Sequence, residues 1–354
     1  MATNNRFSPY LTHILDALLS ARKGEPPPPI EIDDFSLQTL VEALRANVVT
    51  MRYWEAMGES GDPNLKDFPM RHIERGRKHL SVCYEMAGLV NDVFEKAQKK
   101  VMVVKTFDNP PDLGHDLDLF TDLGPKETDE IILGNFDAKI TERTLSEVLA
   151  NKRNYDVPGK VVLEIHCGRL GQVGEDEVLC RELIARRVKV EKGGFDAYAP
   201  KLEHAVVLRT MQRMYRHFRI RLADVINTIR EGERDDYDWA YLREFTERAG
   251  LYRGVVYFVN YVRSVARQSG YDFTIPTEFY RGPSFERNHE LPVFSRGMHY
   301  RFSRGTVPAK LYLSKMATNL KALNAPAVAR TSLVFPLAAM RMVVFKVVGK
   351  DIVW

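Results

Sequence analysis

The sequence predicts an α/β (α+β) protein, with a mixed-sheet core flanked by N-terminal helices and a C-terminal helical domain. Apolar residues at three–four spacing dominate the first hundred positions and return from Pro200 to about Gln268. Between these stretches, short apolar runs bounded by turn residues read as strands. Hydrophobic residues at 45% and charged residues at 28% are ordinary globular proportions, and 354 residues allow two or three domains.

In order, Phe7 to Arg22 reads as a short helix, followed by an extended linker over 24–30 that contains Pro26-Pro27-Pro28-Pro29. Leu37, Leu40, Val41, Leu44 and Val48 mark a second helix, and Met70 to Lys99 a long third one. Gly58, Gly61, Pro63, Asn64 and Pro69 place a loop between them, and the whole forms a helical region over 1–99.

The core is expected over 100–199. Val101 to Val104 is a buried strand ending at Lys105, followed by the turn-rich Asp108-Asn109-Pro110-Pro111-Asp112 and a strand from His115 to Phe120. Glu130-Ile131-Ile132-Leu133 is read as a further strand, Thr141 to about Asn151 as a helix, and Lys160 to His166 as a strand. Val188 to Val190 and Phe195 to Tyr198 add short strands.

A helical domain is expected over 200–270. Leu202–Phe218, Leu222–Arg230, Trp239–Ala249 and Tyr252–Gln268 have helical spacing and the short connections of antiparallel neighbours. Region 271–354, rich in Gly, Pro and aromatic residues, receives no fold from its sequence.

Three cysteines, Cys83, Cys167 and Cys180, have no metal-type spacing and favour a reducing compartment. The first residues have no signal-peptide pattern, and the longest apolar run, Leu333 to Val348, is broken by Pro336, Arg341 and Lys346. The expectation is a cytoplasmic protein without a membrane span.

Net charge is +4, unevenly spread: from Arg281 onward twelve Lys and Arg face Glu286, Glu290 and Asp351, a net +9 that leaves −5 on the first 280 residues. Such a basic end points to an anionic partner, nucleotide or nucleic acid, or is simply a solvated basic face. The segment Phe294 to Gly305 interleaves aromatics with arginines and fits either single-stranded nucleic acid or a β-hairpin with alternating exposed arginines.

The chemistry concentrates in Gly114-His115-Asp116-Leu117-Asp118-Leu119-Phe120. In a strand Asp116 and Asp118 share one face, roughly 7 Å apart, while Leu117 and Leu119 point into a core. Two such acids repel by on the order of 4 kcal/mol if they come within ~4 Å at an effective dielectric near 20, and a divalent cation would turn that repulsion into attraction. Glu164 stands in the otherwise apolar Val161-Val162-Leu163-Glu164-Ile165-His166, where an acid is costly to bury without a cation or donor. Two acids from one strand and one from a neighbour make an oxygen-rich cage suited to magnesium. Taken singly, each acid reads more simply as solvated. His115 and His166 flank the acids, where they either contact metal or substrate or are simply satisfied by hydrogen bonds, and neither is assigned a catalytic role; His204 and His217 read as core or surface residues. Arg169, in the glycine-rich turn Gly168 to Gly174, is a weak phosphate candidate. Arg209, Arg213, Arg216, His217, Arg219 and Arg221 form a partly one-sided basic stripe, a cleft lining or a solvated face.

A strand ending in Lys105, then Asp116-x-Asp118, then Glu164-Ile165-His166, resembles the DNA polymerase beta-type nucleotidyltransferase superfamily, and in particular its large, mostly uncharacterised nucleotidyltransferase family. Leu202-Glu203-His204-Ala205, Tyr215-Arg216-His217-Phe218 and Leu222-Ala223-Asp224 are similar to the helical region that follows in that group, so the resemblance covers roughly 36–265. It implies a nucleotidyltransferase-type sheet in which Asp116, Asp118 and Glu164 clamp two magnesium ions, Glu164 acts as general base, and Lys105 and Thr106 meet the phosphates. The implied reaction transfers a nucleoside monophosphate from a nucleoside triphosphate such as ATP to a small-molecule, protein or RNA acceptor, releasing pyrophosphate. The sequence departs from the family at Thr106, where a glycine normally lets backbone amides approach the triphosphate. That departure, with the basic C-terminal part, supports the alternative of a catalytically decayed module that binds nucleic acid or protein.

Overall fold

The computed structural model describes residues 9–29, 37–58, 67–108, 110–172, 174–280, 294–296, 298–302 and 306–334. Most of the loop between the second and third predicted helices, most of the apolar run Leu333 to Val348, and part of the basic C-terminal region lie outside them.

Four helices come first: α1 (Pro9–Lys23), α2 (Leu37–Asn47), α3 (Thr50–Met57) and α4 (Asp67–Lys96). The core follows as β1 (Val101–Val103), a 3₁₀ turn Thr106–Asp108, β2 (Asp116–Thr121), α5 (Pro125–Asn135), β3 (Lys139–Ile140), α6 (Leu145–Leu149), β4 (Lys152–Asp156), β5 (Val162–Cys167) and α7 (Glu177–Ala185). A hairpin of β6 (Val188–Lys192) and β7 (Phe195–Ala199) packs against α4 and β1. The helical part comprises α8 (Leu202–Thr210), a π-helical segment Met211–His217, the short β8 (Arg219–Ile220), α9 (Leu222–Gly232), α10 (Trp239–Arg248) and α11 (Tyr252–Gln268). After a 3₁₀ turn, Thr277–Phe279, the described chain ends with β9 (Phe294–Arg296), β10 (His299–Arg301), α12 (Thr306–Lys321) and a thirteenth helix, α13 (325–334). No described helix is long and apolar enough to cross a membrane.

The sheet is mixed, in the order β1-β2-β5-β4-β3. Strands β2 and β5 run parallel at its centre, and the other neighbours are antiparallel. Alternation splits the residues as the pleat demands. Val101, Val103, Leu117, Leu119, Leu163 and Ile165 join Phe94, Val90 and Met86 of α4 in one core cluster. Met102, Val104 and Phe120 face the other way, into the larger cluster built by the N-terminal helices and α8 to α12. The carboxylates lie on this second face, between sheet and helices.

Two sequence expectations are corrected. Glu130 to Leu133 is not a strand but the middle of α5, which starts with Pro125 at a position where no amide hydrogen is needed, and whose Thr128 hydroxyl donates to Gly124 O at 2.9 Å. Its inward side is Thr128 with Ile132, four apart, a pattern that a short apolar run hides. The helix expected from Thr141 to Asn151 shrinks to Leu145–Leu149, because Thr144 and Glu147 close a capping box: Thr144 N–H donates to Glu147 Oε2 at 2.8 Å and Glu147 N–H to Thr144 Oγ1 at 3.4 Å. The next residues enter β4, and Phe294 to Arg301 forms a β9–β10 hairpin that extends β8.

The N-terminal helices hold the loop after β1. Asp112 accepts from the amides of Met51 at 2.6 Å and Arg52 at 3.2 Å, satisfying donors at the start of α3, and Arg52 pairs with it at 3.3 Å. Asn47 at the end of α2 is wholly buried; it donates to Ala43 O at 2.8 Å and Met298 O at 2.7 Å and accepts from Leu222 N–H at 3.1 Å. It therefore joins α2, the β9–β10 turn and the first residue of α9. Asn47→Ala is expected to lower stability by about 2–3 kcal/mol in denaturant melts, since it strands a buried amide and a buried carbonyl; Asn47→Asp, which keeps the acceptor for Leu222 N–H but sets a buried carboxylate oxygen against the Ala43 and Met298 carbonyls, should lose at least as much.

Candidate active site

The parallel register sets Asp118 directly beside Glu164 and Phe120 beside His166. On the far side of β5, β4 pairs Asn154 with Glu164 and Lys152 with His166, so these four face the same space. Sequence reading missed β4 because its site-facing residues are Lys152 and Asn154, which leave no apolar alternation. Lys105, just beyond β1, reaches across β2 into the same space.

There the charges interlock. Lys105 Nζ bonds Asp118 Oδ1, lies 3.2 Å from Glu164 Oε1 and 3.3 Å from His166 Nε2. Lys152 Nζ bonds the other Glu164 oxygen and lies 3.4 Å from Glu147 Oε1, which also accepts from Asn154 Nδ2 at 3.0 Å. The side chains of Lys105, Asp118 and Glu164 keep only 17%, 13% and 13% of their surface exposed, so these charges are poorly screened by water.

The acids respond unequally. Burial drives Asp118 well above the usual carboxylate range against the pull of Lys105, with Glu164 and Asp116 adding repulsion. Burial also acts on Glu164, but Lys105, His166 and Lys152 outweigh it and hold the acid well below its ordinary value. Lys105 is held above its ordinary value because Asp118 and Glu164 outweigh its burial. Burial, then the nearby Lys105, lowers His166 to about 4, so its imidazole is neutral and able to ligate. Asp116, one pleat from Asp118, is raised by burial and by Glu164.

Thr106 is turned inward. Its Oγ1 accepts from Asp118 N–H at 2.9 Å and donates to Asp116 O at 3.4 Å, and the residue is 5% exposed. Its hydroxyl therefore braces the strand that carries the acids. Arg169 lies elsewhere, beyond the end of β5 in a cleft of about 490 Å³ lined also by Phe120, Asp122, Arg181, Ile184 and Arg330. His115 is exposed, whereas His166 lies inside the acidic cluster. His204 is a buried residue bonded to the Tyr241 hydroxyl at 2.7 Å.

The donor set fits a divalent cation. Asp118, Glu164 and His166 each bring a ligand atom within 4.8 Å of the others, and His166 Nδ1 is buried without a hydrogen-bond partner. With Asp116 on the same face, three carboxylates and one neutral imidazole suit a hard or borderline ion. The structure thus groups His166 with Asp118 and Glu164, as the alternation of its strand already set His166 on the face of Glu164.

Arginines of the π-helical segment and of the residue before α9 come within electrostatic range of this face. Arg216 depresses Lys105 electrostatically, and Arg221 feels both Asp118 and Asp116. Arg209 and Arg213 are not part of a solvated stripe: both are buried, Arg209 bonded to Glu231 and Arg213 paired with Asp224 at 2.7 Å.

No known protein family matches the chain, no characterised protein matches it in sequence, and no solved structure matches it. The chemistry of these side chains therefore carries the functional reading.

Thr106→Val, nearly isosteric, leaves the Asp118 amide without its acceptor. A loss of about 1–3 kcal/mol is expected in denaturant melts, whereas Thr106→Ser should retain the bond and most of the stability.

Proposed function

We propose that the chain is a magnesium-dependent nucleotidyltransferase built on a nucleotidyltransferase-type sheet. It would transfer a nucleoside monophosphate from a nucleoside triphosphate to a hydroxyl or amine acceptor on a small molecule, a protein or RNA. The observation that carries this reading is the in-register pair Asp118 and Glu164 on adjacent parallel strands, with Asp116 and His166 on the same face and cationic side chains opposite.

Asp116, Asp118 and Glu164, joined by His166, would hold the magnesium ions. When bound, these supply charge neutralisation on the polyphosphate and a lowered pKa for the acceptor. The rest falls to the protein. Glu164, the more acidic of the paired carboxylates, is ionised and placed to take the acceptor's proton. As the acceptor bonds to the α-phosphorus, the bond to the bridging oxygen breaks and pyrophosphate leaves with the electron pair. Lys105, a compact cation beside the acids, offers its charge to phosphate oxygens, and Thr106 fixes the height of β2 beneath them.

One observation favours a second reading. Lys105 and Lys152 already neutralise Asp118 and Glu164, so the network closes on itself and would suit a non-catalytic module that binds nucleic acid or protein. Pyrophosphate release from labelled nucleoside triphosphates with magnesium and a panel of acceptors separates the two. The transferase should turn over, and Asp116→Asn/Asp118→Asn should reduce the rate by at least about a hundredfold; equal rates in wild type and variant would sink the enzymatic reading. Removing the competing ammonium should free the ligands: Lys105→Met is expected to bind Mn²⁺ about tenfold more tightly by electron paramagnetic resonance, equivalent to about 1.4 kcal/mol. A scaffold would bind none in either form.

A further inference from the structure

The small sheet of β8, β10 and β9 has two unlike faces. Ile220 and Tyr300 pair across β8 and β10 and are buried in the main core. On the opposite face Arg219 pairs directly with Arg301, and His299, two residues before Arg301, accompanies them. Arg221 continues the alternation from Arg219 in extended backbone, φ −94° and ψ 152°.

The adjoining π-helical segment adds Arg216 and His217 to the same region. Arg219 Nη1 lies 3.0 Å from His299 Nε2. Arg216 and Arg221 have no carboxylate within ion-pair distance among the described residues, and the nearby Asp224 is taken by Arg213 and by the Arg221 amide. The Nε of Arg221 is buried without a hydrogen-bond partner. The segment also ends in Phe218, a bulky residue in left-handed backbone at φ +52°. Such strain and π-helical winding are commonly retained where a ligand binds.

We propose that Arg216, His217, Arg219, Arg221, His299 and Arg301 form an oligophosphate-binding surface that grips the triphosphate tail of the nucleotide opposite the carboxylates. The proposal rests on the transferase reading for the identity of the nucleotide; the anion site rests on its own residues. Guanidinium forks bind phosphate oxygens in pairs, and several forks along one surface select a chain of phosphates over a single one. The charge density is evident in the two histidines: burial, then Arg219, Arg221, Arg301 and Arg213, lowers His299 to about 3, and His217 is driven down by burial and four arginines. This surface also answers the departure at Thr106, since phosphate recognition passes from a glycine loop to the helical side of the cleft.

The test uses the whole protein and inorganic tripolyphosphate, by titration calorimetry with EDTA at low ionic strength. Binding at least tenfold tighter than orthophosphate is expected, with at least a tenfold loss in Arg216→Gln/Arg221→Gln and none in Arg234→Gln, an exposed arginine paired with Asp236. In the wild type, ring resonances of His217 and His299 should move on addition of tripolyphosphate while those of His204, held against Tyr241, stay still, which decides the matter even if the double variant does not fold. Absence of metal-free binding, an unchanged double variant, or unmoved His217 and His299 resonances would overturn the proposal. So would tighter competition by a single-stranded oligonucleotide lacking terminal phosphates, which would mark a polynucleotide groove. If tripolyphosphate binds as described but no pyrophosphate is released from any nucleoside triphosphate, the surface stands and the transferase reading falls.

Discussion

Two acids set side by side in a largely buried space must be compensated, and most of the molecule's arrangement around the sheet follows from how this is done. The parallel pairing of β2 with β5 forces Asp118 against Glu164. Lys105 from beyond β1 and Lys152 from β4 close in from either side. Each cation comes from a strand neighbouring one of the acid-bearing strands, so the four charges bind four strands together as well as neutralising one another. Removing one partner from such a set strands a buried charge and is strongly destabilising. The same arrangement places a compact ammonium among three groups able to ligate a metal.

The helices outside the sheet serve this arrangement at second hand. Asp112 fixes the loop after β1 to the amino end of α3, and Asn227 of α9 donates to Asp108 O at 2.5 Å from the other side. Lys105 and Thr106 therefore project from a turn held at both flanks. Buried pairs Arg209–Glu231 and Arg213–Asp224 lock α8 and the π-helical segment to α9, and Lys315 of α12 reaches Asp176 before α7. The cationic side of the cleft is thereby anchored to the same helical body that covers the sheet.

Much of the site was legible in the sequence. Period-two alternation put Asp116 with Asp118 and isolated Glu164 among apolar neighbours. It could not give the register that makes Asp118 and Glu164 partners, because nothing local fixes a pairing between segments separated by a whole crossover. Lys152 escaped because a strand whose inward residues are polar has no hydrophobic signature. Thr106 looked like a poor substitute in a phosphate loop, yet its hydroxyl serves the Asp118 amide, a role visible only once β1 and β2 are side by side. The error at Glu130 to Leu133 arose because four residues cannot distinguish a strand from one turn of helix. Arg209 and Arg213 read as a cleft lining or a solvated face and are neither, because their partners, Glu231 and Asp224, lie on a different helix and leave no local signal.

The winding of Met211–His217 has a consequence for what changes this chain can tolerate. A π-helical segment holds one residue more than an α-helical path of the same length would need. Deleting one residue there would let ordinary α-helical winding resume over the same length, so the residues on either side of the segment would keep their facing. One residue more is thus held between Arg209, bonded to Glu231, and Arg219 of β8 than ordinary winding would place there, so chain length as well as residue type sets which side chains this segment offers.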